Sequence, residues 1–159
     1  MNFLYIKLFI PEYILSIDPA GYGRTGIVIY DFRNFQLVAH FSFYSSNFIE
    51  AIRKFKNELI NFKQIFKKEN KTIFIPKYVI LENYELWNFQ KLKQPTSTPK
   101  ALGGYISLLE HYFCWKDIIL QSPRCKINFA FSLDRLKIND EADAFYHIYY
   151  FLNHYFTKN

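Results

Sequence analysis

The chain has 159 residues, half of them hydrophobic and 21% aromatic, one domain's worth and large enough to bury a real core without staples. Its formal charge of +6 suits polyanionic partners, and its two cysteines, Cys114 and Cys125, form neither a zinc spacing nor a disulfide framework, which points to a reducing cytoplasm. No segment approaches the roughly 18 unbroken apolar residues of a membrane span, and the apolar opening "MNFLYIKLFI" is broken by Lys7 and ended by Pro11 and Glu12 with no cleavage site, so no membrane partner is expected.

"YILSID" (13–18) is a short apolar run that ends on an acid, and the following "PAGYGRTG" is a turn rich in glycine. "TGIVIYD" (25–31) and "QLVAHFSFY" (36–44) are β-branched and aromatic, so the three runs predict a meander of strands. Phe48, Ile52, Phe55, Leu59, Phe62 and Phe66 then recur at steps of three and four, one face of a long helix. Asn47 followed by Glu50 resembles a capping box at its start. From Arg53 to Lys71 this helix carries seven cations against Glu58 and Glu69, a net +5, read either as a solvated face or as a surface for phosphates.

"KYVILENYELW" (77–87) contains a fourth strand, again ending on an acid, Glu82. Thr98 before Pro99 predicts the N-cap and first turn of a helix through "KALGGYISLLEHYF", in which Gly103 and Gly104 suggest close backbone contact with a neighbour. "DIILQSP" (117–123) predicts a fifth strand, "RCKINFAFSLDRLK" is ambiguous, and 139–156 is a closing helix. The expected class is α/β, a five-stranded mixed sheet flanked by helices, with the first three strands an antiparallel meander.

The closing helix opens with "NDEAD", and Asp140 and Asp143, three apart, share one helical face. Asp18 and Glu82 each end a strand. If those strands are neighbours and the last helix crosses them, all four acids meet at one end of the sheet. Two such charges about 4 Å apart repel by roughly 4 kcal/mol at an effective dielectric of about 20. A cation would relieve this, and oxygen donors without paired Cys favour Mg²⁺ or Mn²⁺; two such ions can carry out phosphodiester hydrolysis. Each feature also has a purely structural reading, since acids in a first turn interact favourably with the helix dipole and Asp140 can serve as an N-cap. His147, at i+4 from Asp143, reads as a residue near the metal shell or as ordinary helix packing.

"ILSIDPAGYGRTGIVIYD", "VILENYELW", "KALGGYISLL" and "DEADAFYHIYYFL" together resemble the RuvC family of Holliday junction resolvases, over about residues 13 to 152. The resemblance implies a ribonuclease H-like fold, with residues 1–159 as one nuclease domain and 1–12 as an N-terminal extension. It implies a homodimer that pairs through the glycine-containing helix and cuts four-way junctions or related branched DNA. Asp18, Glu82, Asp140 and Asp143 are the implied catalytic metal ligands for two Mg²⁺ ions, with Mn²⁺ as a substitute. The family's junction-probing aromatic position holds Glu85 here, flanked by Tyr84 and Trp87. Arg24, Tyr84, Trp87, Lys91, Lys93, Lys100, Arg124, Lys126, Arg135 and Lys137 are candidate DNA contacts. The connection from 123 to 139 looks short for the additional helix of the bacterial enzymes, which fits phage-type members.

Two other readings stay open. "DPAGYGRTG" also looks like the phosphate loop of the actin and sugar-kinase superfamily, although 159 residues supply one lobe where that superfamily needs two. A catalytically idle DNA-binding relative would share the fold.

Overall fold

A computed structural model of the chain describes residues 9–84, 96–123 and 139–156, the side chains at 139, 140 and 156 excepted. Its strands are β1 (Tyr13–Asp18), β2 (Gly23–Asp31), β3 (Gln36–Ser45), β4 (Tyr78–Glu82) and β5 (Ile118–Gln121). They form one sheet in the order β3-β2-β1-β4-β5. β2 pairs antiparallel with both β1 and β3, whereas β4 runs parallel to both β1 and β5. The five-stranded mixed sheet and its meander are thus as the alternating sequence predicts. The ambiguous segment 124–137 lies outside the described residues.

Among the described residues, three helices cover the sheet: α1 (Phe48–Asn70), α2 (Ser97–Ser107) and α3 (Asn139–Phe156). Strand alternation decides which residues each helix meets. Leu15, Ile17, Ile27, Ile29, Val79 and Leu81 point to one face and pack with Phe55 and Leu59 of α1 and Leu102 and Tyr105 of α2. Ile14, Val28 and Ile80 point to the other and pack with Ala144, Ile148 and Phe151 of α3. Fully burying each Val, Leu, Ile or Phe among these contributes about 1.5–3 kcal/mol. The α1 side is the more aromatic, with Phe74 in edge contact with Phe62 (5.0 Å), Phe66 (5.3 Å) and Trp115 (5.8 Å).

α2 departs from expectation in three ways. It begins at Ser97, and the preceding Thr96 makes no side-chain cap, so Thr98 lies inside the helix rather than at its cap. The Thr98 hydroxyl instead accepts a hydrogen bond from Gly21 N (3.3 Å) in the turn after β1. The helix also widens into a π-helical turn over Leu108–Tyr112, with Phe113 N donating to Leu108 O at 2.9 Å. That turn brings Phe113 and Trp115 onto the core, stacked 4.8 Å apart. Gly104 does face a close neighbour, Ile52 of α1, which a Cβ there would strike, while Gly103 faces open space.

The turn after β1 is clamped to α2. A Cβ at Gly21 would collide with the Ser97 carbonyl, so only glycine lets the two backbones approach. Ala20 N donates to Thr25 Oγ1 (3.0 Å), which lies 3.0 Å from the fully buried Tyr105 hydroxyl. Burial raises the Tyr105 phenol well above its ordinary pKa, so it stays protonated and able to donate.

The start of α1 follows the capping expectation with one shift. Asn47 Oδ1 accepts from Glu50 N (2.9 Å), while the Glu50 carboxylate reaches back to Ser46 N (2.8 Å) and Ser46 Oγ (2.6 Å) rather than to Asn47. Hydrogen bonding to Lys54, then to Ser46, lowers the Glu50 pKa from 4.5 to about 2. A depressed carboxylate stabilises the fold above its unfolded pKa and loses that contribution as pH falls through the folded value. Glu50→Gln is therefore expected to lower the melting temperature by a constant gap above pH about 4.5, a gap that closes towards pH 2. Thermal unfolding of both proteins across that range measures it; a gap independent of pH would exclude the charge as its source.

Candidate active site

The parallel register of β1 and β4 pairs Ile17 with Leu81, and that of β4 and β5 pairs Glu82 with Gln121. Continuing the first pairing by one residue sets Asp18 beside Glu82. Asp18, Glu82 and Gln121 thus form a row across the strand ends, with backbones about 4.8 Å apart from strand to strand. Alternation fixes their direction: Ile14 and Ile80 face α3, so Asp18 and Glu82, at even steps from them, face α3 too. Asp18 pairs on its other side with Gly26, which brings no side chain to that face.

α3 crosses this row. Ala144, Ile148 and Phe151 form its packing stripe, and the small Ala144 is completely buried against the sheet. Asp143 is half-buried at the start of the helix, and one turn on His147 is completely buried. His147 Nε2 lies 2.8 Å from Glu82 Oε2, and Nδ1 lies 2.8 Å from Gln121 Oε1. Both ring nitrogens are engaged by protein groups, so His147 acts on a carboxylate rather than offering a lone pair to a cation. Sequence reasoning placed His147 one turn from Asp143, but nothing local marked Gln121.

The middle acid of "NDEAD", Glu141, is engaged away from this row. Glu141 is buried and its Oε2 lies 2.7 Å from Nδ1 of the half-exposed His40 on β3. This pair fixes the start of α3 to the meander, a role neither residue's sequence context revealed. The Asp140 side chain lies outside the described residues.

The donors suit a hard, oxygen-seeking cation: strand-end carboxylates on adjacent strands, with Asp143 on the covering helix. Two residues before Asp18 on the same face, Ser16 Oγ is buried without a hydrogen-bond partner, which leaves a polar atom beneath the acids for a water to satisfy. Among the described residues, however, no three His, Cys, Asp or Glu side chains stand close enough to form a closed metal-binding group. What the structure joins directly is Glu82 and His147, with Asp18 one strand away and Asp143 one helical turn away.

The candidate DNA contacts separate. Arg24 is exposed near the turn after β1 and donates to Ser42 Oγ (3.1 Å). Lys100, in the first turn of α2, lies 5.1 Å over the Phe48 ring. Tyr84 is half-buried and packs against the core on the α1 side, across the sheet from the acids. Trp87, Lys91, Lys93, Arg124, Lys126, Arg135 and Lys137 lie outside the described residues. α1 also lies across the sheet from the acid row, and much of its charge serves local structure. Lys56 sits over Tyr112 (4.2 Å) and Lys63 over Phe113 (5.2 Å), Lys54 pairs with Glu50 (2.8 Å), and Lys67 and Lys68 complement the helix dipole in the last turn.

No protein-family model and no curated protein sequence matches the chain. Among solved structures the fold is similar to that of T. thermophilus RuvC in complex with a Holliday junction substrate, with a TM-score of 0.64 and 12% identity over 89% of this chain and 95% of that one. A second Thermus thermophilus RuvC structure gives a TM-score of 0.60 and 11% identity at the same coverage. At that identity the likeness is one of fold, the RuvC or ribonuclease H-like arrangement of strands and helices.

The His40–Glu141 pair yields a stability test. His40→Ala leaves a buried carboxylate without its partner and is expected to cost about 1–3 kcal/mol in urea unfolding. Removing both groups in H40A/E141L should recover most of that loss. A double variant as unstable as H40A would show that the pair's mutual contact is not what matters.

Proposed function

We propose that this chain is a metal-dependent, structure-selective endonuclease that hydrolyses phosphodiester bonds in four-way junctions or related branched DNA. The observation that carries this reading is the row of Asp18 and Glu82 at neighbouring strand ends, facing the helix that delivers Asp143. The fold likeness to RuvC supports it. The phosphate-loop alternative is disfavoured because the amides of Ala20 and Gly21 already donate to Thr25 and Thr98 side chains, and α2 fills the space against Gly21.

Two Mg²⁺ ions, or Mn²⁺ in their place, would supply activation of the attacking water and neutralisation of charge at the leaving oxygen. Asp18 would hold both ions, Glu82 and Asp143 one each, and Asp140 would support one ion or position the water. The packed sheet beneath keeps the strand-end carboxylates in fixed register, so the scissile phosphate meets a rigid acidic floor. Exposed Arg24 lies on the same side of the sheet and is suited to a phosphate beside that floor.

We further read the 159 residues as one nuclease domain with residues 1–12 as an extension, acting in the cytoplasm as a homodimer. No described helix is long and apolar enough to cross a membrane. Open space at Gly103 is compatible with pairing through α2.

A labelled four-way junction and a linear duplex of matched sequence, each incubated with Mg²⁺, Mn²⁺ or EDTA, test the proposal. Paired nicks in the junction alone, dependent on metal, are expected. Asp18→Ala and Asp143→Ala should reduce cleavage below detection while junction binding is retained or tightened, since negative charge facing phosphates is removed. Cleavage persisting in both variants would rule out this site, and junction binding without cutting in any metal would identify an idle relative.

A further inference from the structure

We propose that His147, steered by Gln121, is a positioning residue for Glu82, holding one carboxylate oxygen and with it the orientation of the group that would meet a bound cation. The inference rests on the metal-dependent reading above and deepens it. Glu82 is the longest of the strand-end acids, with one more rotatable bond than Asp18, and its side chain is 17% exposed. Left to itself it would sweep through several rotamers at the rim of the sheet. His147 removes that freedom from below, because its imidazole is completely buried and cannot swing to solvent.

The hydrogen bonding leaves little choice of arrangement. A carboxylate has no proton to give, so the 2.8 Å contact between His147 Nε2 and Glu82 Oε2 is an N–H donated by the ring. On the other side Nδ1 meets the Gln121 carboxamide at 2.8 Å. Gln121 Oε1 accepts from Nδ1–H as the groups stand, and the turned carboxamide would donate its NH₂ to Nδ1 instead. In either orientation Nε2–H stays aimed at Glu82, so the argument does not depend on the charge of the ring.

Gln121 is itself held in place. It is nearly buried, it is the register partner of Glu82, and its backbone carbonyl accepts from Asn83 N at 2.7 Å. The chain from Gln121 to His147 to Glu82 therefore spans β5, α3 and β4, and any change in the seating of α3 on the sheet is transmitted to one oxygen of the site. Outer hydrogen-bond partners of metal ligands generally act in this way, orienting the ligand and tuning its donor strength.

The test titrates Mn²⁺ alone, without DNA, into the full-length protein and its variants, with thermal unfolding run in parallel. His147→Leu, in folded protein, is expected to weaken Mn²⁺ binding about 10–100-fold. Gln121→Leu, which leaves the imidazole in place but unsteered, should give a smaller loss. His147→Gln offers an N–H near the position of Nε2 and should restore binding to within a few-fold of wild type. A purely structural role would lower the melting temperature of these variants without changing the Mn²⁺ affinity of the folded protein, and that result would overturn the inference. Should His147→Leu not fold, Gln121→Leu and His147→Gln carry the same comparison. Glu82→Ala separates the two levels of the argument. Mn²⁺ binding lost in Glu82→Ala but unchanged in folded His147 and Gln121 variants defeats this inference alone, whereas a wild-type protein that binds no Mn²⁺ defeats the metal-dependent reading beneath it.

Discussion

The candidate site depends on the parallel pairing of β1 with β4. Parallel neighbours end at the same edge of a sheet, so two strands that each finish on an acid bring those acids together only if they run the same way. Had β4 paired antiparallel, Glu82 would stand at the opposite edge from Asp18. A slip of one residue would be as damaging, since it would turn one acid onto the α1 face. The apolar residues beneath enforce both conditions: Ile14 and Ile80 must meet α3 while Leu15, Ile17, Val79 and Leu81 must meet α1 and α2. The placement of the acids at the rim is therefore a by-product of how the strands bury their hydrophobic side chains.

The two faces of the sheet divide the labour. The α1 and α2 face carries Phe55, Phe66, Phe74, Tyr105 and Trp115, a thick aromatic layer with hydroxyl groups such as those of Thr25 and Tyr105 at its edge. The α3 face is thinner, built on Ala144 and a few aliphatic residues, and accommodates buried polar groups at its acidic end. Ser16, Gln121, Glu141 and His147 are all buried on that side. Aromatic bulk is concentrated on one layer, and the buried Glu141 and His147 on the other. That separation allows a helix to approach the acid row closely without a bulky side chain between them.

Much of this was legible in the sequence, and the limit has a physical origin. Period-two and period-3.6 patterns are local, so the strands, α1 and α3 could be read directly, as could the strand-end positions of Asp18 and Glu82. The parallel order of β1, β4 and β5 is not local, and the contacts it creates had no signature: Gln121 reads as an ordinary strand end, and His40 as an isolated histidine. Tyr84 illustrates the converse. It followed a catalytic-looking acid closely enough to suggest a base-stacking role, but two residues beyond Glu82 it packs towards the opposite core. Thr98 before Pro99 resembled a cap because the sequence could not reveal that Gly21 would need its hydroxyl.

β3 closes the meander at the outer margin of the sheet, and no described strand continues beyond it. Ten residues of extended backbone are thus left with alternate amides and carbonyls turned outward, beside exposed Leu37, Val38 and Tyr44. A strand like this is a template for its own kind, and crowded chains can extend the ladder from one molecule to the next. Lys54 offers one check: its ammonium, paired with Glu50, donates to the Tyr44 carbonyl at 2.6 Å and so occupies an acceptor at the end of the strand. A second molecule that paired with this edge would do so far from the acids, through backbone hydrogen bonds.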